Sequence, residues 1–228
     1  MDGRQAAPRR GGAAAVTAQV GSLFETPVIV DTLPDAAALN VELAAISRRR
    51  RDTDRGVTKS NWNGWQSTPD MLGWGGAAAT ALARHFIGLC QQFTHQAHPE
   101  AEPFRWFVEM WANISPPRAA NESHCHPGAV WSAVYYVDDG YAGSTDPALG
   151  GELVLYDPRM PAVRMLPMDL RYRGPDGKVA QSHMAMRASA GRLVMFPPWL
   201  MHAVRPFNGT GERISIAMNA NAVPESVG

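Results

Sequence analysis

The chain has 228 residues, 45% of them apolar, and its 21 Lys and Arg balance its 21 Asp and Glu. That length fits one domain with a helical flank, while zero formal net charge excludes a global pull toward nucleic acid or an anionic membrane, and no apolar run spans a bilayer. Two cysteines, Cys90 and Cys125, make no disulfide framework, so a reducing, cytoplasmic setting is expected.

Residues 1–20 are low in complexity. Their Ala-rich piece is broken by Thr17 and Gln19, which suits a mobile N-terminal tail better than a signal segment. Leu23 to Val30 reads as a short strand, placed at a sheet edge by Pro27. Pro34 to Arg51 reads as a helix capped by Asp35, with Leu39, Leu43 and Ile46 at helical spacing. The cations Arg48 to Arg51 fall at its C-terminal end, where they suit the helix dipole and solvent. Thr53 to Ser67 is polar and Gly-rich and holds Trp62 and Trp65, which suits either a binding loop or lid or two tryptophans packed over the barrel. Pro69 to His98 is a second helical region, with Ala79, Leu82, Phe86, Leu89, Cys90 and Phe93 as its apolar stripe.

From Phe104 the texture turns to strands. Arg105 to Ile114, Val130 to Val137, Gly151 to Tyr156, Arg192 to Phe196, Ala203 to Pro206 and Arg213 to Asn219 are β-branched and aromatic runs between turn signals. A further edge strand is expected within 157–169, and Met184 to Arg187 is a further pairing segment. Helices followed by about eight short strands argue for a mainly β protein: a jelly-roll or cupin-like barrel buttressed by N-terminal helices. The helical flank is expected at 34–98 and the barrel at 104–220, in one domain over 21–228.

Within the barrel, Asn121-Glu122-Ser123-His124-Cys125-His126-Pro127 carries the chemistry. Side chains two apart in a strand share a face, so His124 and His126 would stand side by side, with Cys125 turned away. A distal histidine, His202, follows Phe-Pro-Pro-Trp-Leu-Met. Three such ligands with open positions suit non-haem Fe(II), because oxygen and a cosubstrate need vacant sites. Glu122, two residues before His124, is a further ligand candidate or a partner fixing a tautomer. Arg213 and Ser215 share a strand face, and an arginine fork with a hydroxyl suits a dicarboxylate. An ion pair between Arg213 and Glu152 is the alternative.

With these residues in place, the chain resembles the 2-oxoglutarate/Fe(II)-dependent dioxygenases. Within them it looks like the prolyl-hydroxylase-like branch, and like a group that carries His-x-His in place of His-x-Asp. The resemblance rests on the His124–His126 segment, Ser132 to Val137, Gly150-Gly151-Glu152-Leu153, Tyr156 to Arg159, Gly191 to Pro197, His202 and Arg213-Ile214-Ser215, with Gly64 to Ser67 upstream. It implies a double-stranded β-helix with iron held by His124, His126 and His202. It implies 2-oxoglutarate as cosubstrate, with Arg213 on its distal carboxylate and Tyr136 bonding it. Ser132 and Val134 would share the face of Tyr136, with Asn113 and Asn121 as polar pocket residues. O2 and 2-oxoglutarate would be converted to succinate and CO2 as a C–H bond of a small molecule, amino acid or peptide is hydroxylated. His126 departs from the usual Asp, which leaves one more positive charge at the metal. Trp62, Trp65, Trp131 and Arg159 are substrate-side candidates. A three-histidine dioxygenase without 2-oxoglutarate and a non-enzymatic metal or small-molecule sensor remain rivals. The sequence leaves the substrate and a homodimer open.

Overall fold

The computed structural model describes residues 21–98, 100, 102–159 and 170–226. The expected tail at 1–20 and most of the edge strand expected within 157–169 lie outside them. Eleven strands follow in chain order: β1 (Ile29–Thr32), β2 (Asn61–Trp62), β3 (Trp65–Gln66), β4 (Phe104–Ser115), β5 (Ala120–His124), β6 (Trp131–Asp138), β7 (Leu153–Tyr156), β8 (His183–Met186), β9 (Arg192–Phe196), β10 (His202–Val204) and β11 (Arg213–Pro224). Three helices precede the long strands: α1 (Ala36–Thr53), α2 (Met71–Trp74) and α3 (Gly76–Phe93).

The strands form two antiparallel sheets. One has the order β1-β9-β6-β11-β4-β3 and the other the order β2-β5-β10-β7-β8. This is the double-stranded β-helix expected from the sequence, with β1 at a sheet edge.

Strict alternation gives the six-stranded sheet two different faces. Along β4, Val108, Met110, Ala112 and Ile114 are buried against the helices, and β11 adds Ile214, Ile216, Met218 and Ala220 to the same side. Leu43 of α1 and Ala79, Leu82, Phe86 and Cys90 of α3 complete that core. Each fully buried large side chain contributes about 1.5–3 kcal/mol, so the helices are a structural wall for the sheet. The opposite residues of the same strands face the second sheet across a cavity.

Several local expectations change. Asp35 stands at the start of α1 with φ 54 and makes no capping hydrogen bond with its side chain. A capping side chain reaches back from extended backbone, and the left-handed conformation denies it that reach. The second helical region is two helices that end at Phe93. Gly76, at φ 62, interrupts the run in a conformation that glycine adopts without strain. The arginine run is more than a solvated helix end: Arg48 Nε bonds Glu212 at 3.1 Å and Arg51 pairs with the same carboxylate, tying α1 to the residue before β11. Thr53 to Ser67 is also not a plain loop. Trp62 pairs into one sheet through β5 and Trp65 into the other through β4, with the turn at Asn63 and Gly64 crossing between them.

Candidate metal centre

His124 is the last residue of β5 and His202 the first of β10, and the two are direct cross-strand partners. His126 lies beyond the strand end, where its backbone N–H donates to Pro198 O at 2.8 Å. The two histidines of His-x-His therefore do not share a strand face as expected. One stands on the strand, and the other is brought over by the segment before β10. The ring centroids are 4.3 Å apart for His124 and His202, and 5.0 Å for each of the other two pairs. One ligating atom from each residue lies within 4.8 Å of the others.

Backbone carbonyls orient two of these rings. His124 Nδ1 lies 2.7 Å from Glu122 O and His202 Nδ1 lies 2.8 Å from Leu200 O. A proton on each Nδ1 leaves Nε2 with a lone pair for the centre. His126 Nε2 lies 3.2 Å from His202 Nε2. Burial and neighbouring imidazoles push His126 down to about 4 and His202 to about 3. Near neutral pH both are uncharged donors facing one point. Three neutral imidazole nitrogens at such spacing fit a divalent transition metal.

The Glu122 carboxylate is turned away from this centre. It accepts from Trp62 Nε1 at 2.8 Å on the outer side of the sheet. The cause is a register irregularity: His202 pairs with His124, whereas Val204 pairs with Asn121. One residue, Ala203, thus opposes two, Glu122 and Ser123, and such a bulge re-aims side chains. Asn121 and His124 both line the cavity as a result, and Glu122 contributes its backbone oxygen rather than its carboxylate.

The cavity holds about 500 Å³ between the two sheets. Its floor on the six-stranded sheet is built in rows. Arg213 stands opposite Ser115. Gln66, Asn113, Ser215 and Tyr136 form the next row, Trp111, Ala217 and Val134 the third, and Glu109, Asn219 and Ser132 the fourth. Trp111 is 5.7 Å from the His126 ring and Phe196 is 4.8 Å from the His202 ring. The imidazoles thus sit over the later rows, and Arg213 closes the opposite end.

Arg213 is 3% exposed. Its Nη1 donates to Gly151 O, while its Nε finds no protein partner. Gly150 holds φ 61 beside the Pro206 carbonyl, a conformation and a closeness open to glycine, and so sets the Gly151 carbonyl in place. Glu152, the alternative partner from sequence, makes no ion pair with Arg213 among the described residues, and its Oε2 is also buried without a hydrogen bond. Burial pulls the Arg213 pKa down, and Tyr136, Tyr141 and Glu152 pull it back up. Burial pushes the Tyr136 hydroxyl up to about 12, so it stays protonated.

Of the expected site residues, the structure brings His124, His126, His202, Arg213, Ser215, Tyr136, Asn113 and Asn121 to one cavity. The four substrate-side candidates lie elsewhere. Trp62 is exposed on the outer side of the five-stranded sheet. Trp65 packs against the helical core and donates to Asp54 O at 2.8 Å. Trp131 alternates with Ser132 and so faces the helices, donating to Thr94 Oγ1 at 2.8 Å. Arg159 is exposed and paired with Asp157 at 3.0 Å. Glu109, Trp111 and Asn219 line the cavity but were not singled out from sequence. Counting back by twos from Asn113 finds the first two, and counting on by twos from Ser215 finds the third.

No curated protein matches the chain in sequence. In fold it is similar to a prolyl-4-hydroxylase of Pseudomonas putida, with a TM-score of 0.56 and 20% identity over 85% of this chain and 91% of that one. It is also similar to HygX from Streptomyces hygroscopicus, solved with nickel and 2-oxoglutarate bound: TM-score 0.57 and 13% identity over 86% and 83%. A prolyl hydroxylase of Trichoplax adhaerens, solved with a peptide fragment of hypoxia inducible factor, gives 0.56 and 14% over 85% and 83%. The sequence of residues 109–219 matches the model of the family described as "Putative 2OG-Fe(II) oxygenase". That matched segment carries all three histidines and Arg213.

Proposed function

We propose that the chain is a 2-oxoglutarate-dependent Fe(II) dioxygenase that hydroxylates an unactivated C–H bond of a small molecule, amino acid or peptide. One observation carries the reading: three imidazoles converge in a cavity whose other end is closed by a buried arginine with an unpartnered Nε. His124, His126 and His202 would hold the iron. Bound iron with 2-oxoglutarate supplies O2 activation, in the balance 2-oxoglutarate + O2 + R–H giving succinate + CO2 + R–OH.

The chain's own residues bind, orient and shield. The Arg213 guanidinium, anchored on one side by Gly151 O, presents its free edge to the distal carboxylate of 2-oxoglutarate. Tyr136, held protonated by burial, donates a hydrogen bond, and Ser215 in the same row adds a second hydroxyl. Trp111 and Phe196 flank the imidazoles and keep water from that part of the cavity. Because His126 stands where a carboxylate is usual, the protein leaves the metal charge unneutralised. That strengthens the hold on an anionic cosubstrate. The Trichoplax adhaerens enzyme, solved with a peptide, supports including peptides in the substrate range.

The test is succinate release from purified protein with Fe(II), 2-oxoglutarate and O2. We expect slow release without substrate and its loss in His202→Ala. Oxygen uptake indifferent to 2-oxoglutarate would replace this reading with a cosubstrate-free dioxygenase, and metal binding without any turnover would leave a sensor.

A further inference from the structure

The cavity is electrically polarised along its length. Arg213 closes one end. Glu109, on the fourth row of the floor, is the one acidic lining residue among the described ones. Asn219, the cross-strand partner of Glu109, is six residue steps along β11 from Arg213, which is about 20 Å of strand. Glu109 is half-buried on the inner face of β4, and its carboxylate makes no hydrogen bond or ion pair among the described residues. Next to it in the row, Ser132 Oγ donates to Asn219 Oδ1 at 2.8 Å, so those two polar groups are already engaged with each other. Two residues along the same face of β4 stands Trp111, whose ring lies against His126.

A carboxylate facing a cavity without a partner costs desolvation that only an incoming cation offsets. An aromatic face beside a carboxylate is the pairing that recognises an alkylammonium: the ring attracts the charge and the carboxylate accepts its N–H donors. The end of the cavity near Arg213 suits an anion. The end at Glu109 does not, and it belongs to the later rows that the imidazoles sit over, where a molecule to be oxidised must stand.

We propose that Glu109, with the Trp111 ring, is the substrate-recognising group of this site and that the substrate carries a protonated amine. The proposal rests on the oxygenase reading for the word substrate, but the binding it predicts does not depend on turnover. Lys59, exposed at the rim of the same cavity, is the charged neighbour from which its effect must be separated.

The experiment uses the full chain loaded with Ni(II) and 2-oxoglutarate, which keeps oxygen chemistry out. The probes are L-lysine, spermidine, glucosamine and a lysine-containing tripeptide, each beside its N-acetylated counterpart, read by calorimetry and thermal shift. We expect at least one amine to bind, its N-acetyl form to bind about tenfold or more weakly, and Glu109→Gln to weaken the amine by a similar factor. Glu109→Lys, which reverses the charge, should abolish amine binding. A circular dichroism melt establishes that both variants are folded. The proposal is overturned if no amine of the panel binds, if acetylation makes no difference, or if Lys59→Gln reproduces the whole loss while Glu109→Gln behaves as the parent. A separate titration with 2-oxoglutarate alone distinguishes the two readings: its failure sinks the oxygenase assignment while the amine titration still reports on Glu109.

Discussion

Replacing Arg213 by lysine tests the cosubstrate end of the cavity most sharply. Lysine keeps the positive charge and much of the length but loses the planar fork. In the parent, Nη1 is committed to Gly151 O and Nε is buried without a partner, so a carboxylate meets a guanidinium already oriented for it. Lysine offers one point donor where arginine offers two parallel N–H groups. The change therefore removes about one charge-assisted hydrogen bond, roughly 1.5–3 kcal/mol. That converts to about a 10- to 100-fold rise in the Kd for 2-oxoglutarate. The assay is calorimetric titration of 2-oxoglutarate into Ni(II)-loaded protein, with Ni(II) titrated alone as a control, since Arg213 bonds Gly151 O and, among the described residues, no imidazole. A Kd within about twofold of the parent, in a variant with an unchanged melting temperature, would refute the assignment of Arg213 to the cosubstrate carboxylate.

Other outcomes follow from the same geometry. The metal-free protein should lose stability as pH falls below the ordinary histidine range. His126 and His202 titrate near 6.5 when unfolded but are held down at about 4 and about 3 in the fold. The unfolded chain then takes up protons first, so this contribution is full above about pH 6.5 and declines through the window down to those folded values. Denaturant midpoints at pH 7.5 and pH 5 check it, and equal midpoints would count against the buried neutral imidazoles. Cys90 is fully buried, its thiol pushed up to about 12, while Cys125 is half-buried on the cavity wall. Iodoacetamide at pH 8 should therefore label one thiol in the native chain and two after unfolding, as counted by mass spectrometry. Phe86→Ala removes a fully buried ring from the core between α3 and the six-stranded sheet, and should cost about 3–5 kcal/mol in a urea melt. A cost below about 1 kcal/mol would mean that the helix is not an integral wall of the barrel.

Much of the architecture was legible because it is written in local periodicity. The β9 run Arg192–Phe196 falls where the sequence places it, and α1 is displaced by about a turn's half at each end. Alternation within Trp131–Asp138 separates Ser132, Val134 and Tyr136 from the residues that face the helices. The same rule applied to β4 and β11 reaches Glu109, Trp111 and Asn219, which belong to no recognisable motif. The tryptophans misled for a related reason. Chemical character marks a residue as capable of stacking on a substrate, but the side of the sheet it faces decides whether it can, and Trp131 and Trp65 spend their rings on the helical core.

What the sequence determined by itself is the order of elements, the helical buttress, and the set of histidines and the arginine available for a metal and a dicarboxylate. These follow from residue type and spacing along one segment at a time. Tertiary structure alone decided that His126 joins from beyond the strand through the Pro198 carbonyl, that a bulge between β5 and β10 turns Glu122 outward, and that Arg213 lies at the opposite end of the cavity from Glu109. Each depends on register between strands far apart in the chain. Because side chains alternate faces with every residue, a shift of one position in that register changes what enters the site without changing a single letter of the sequence.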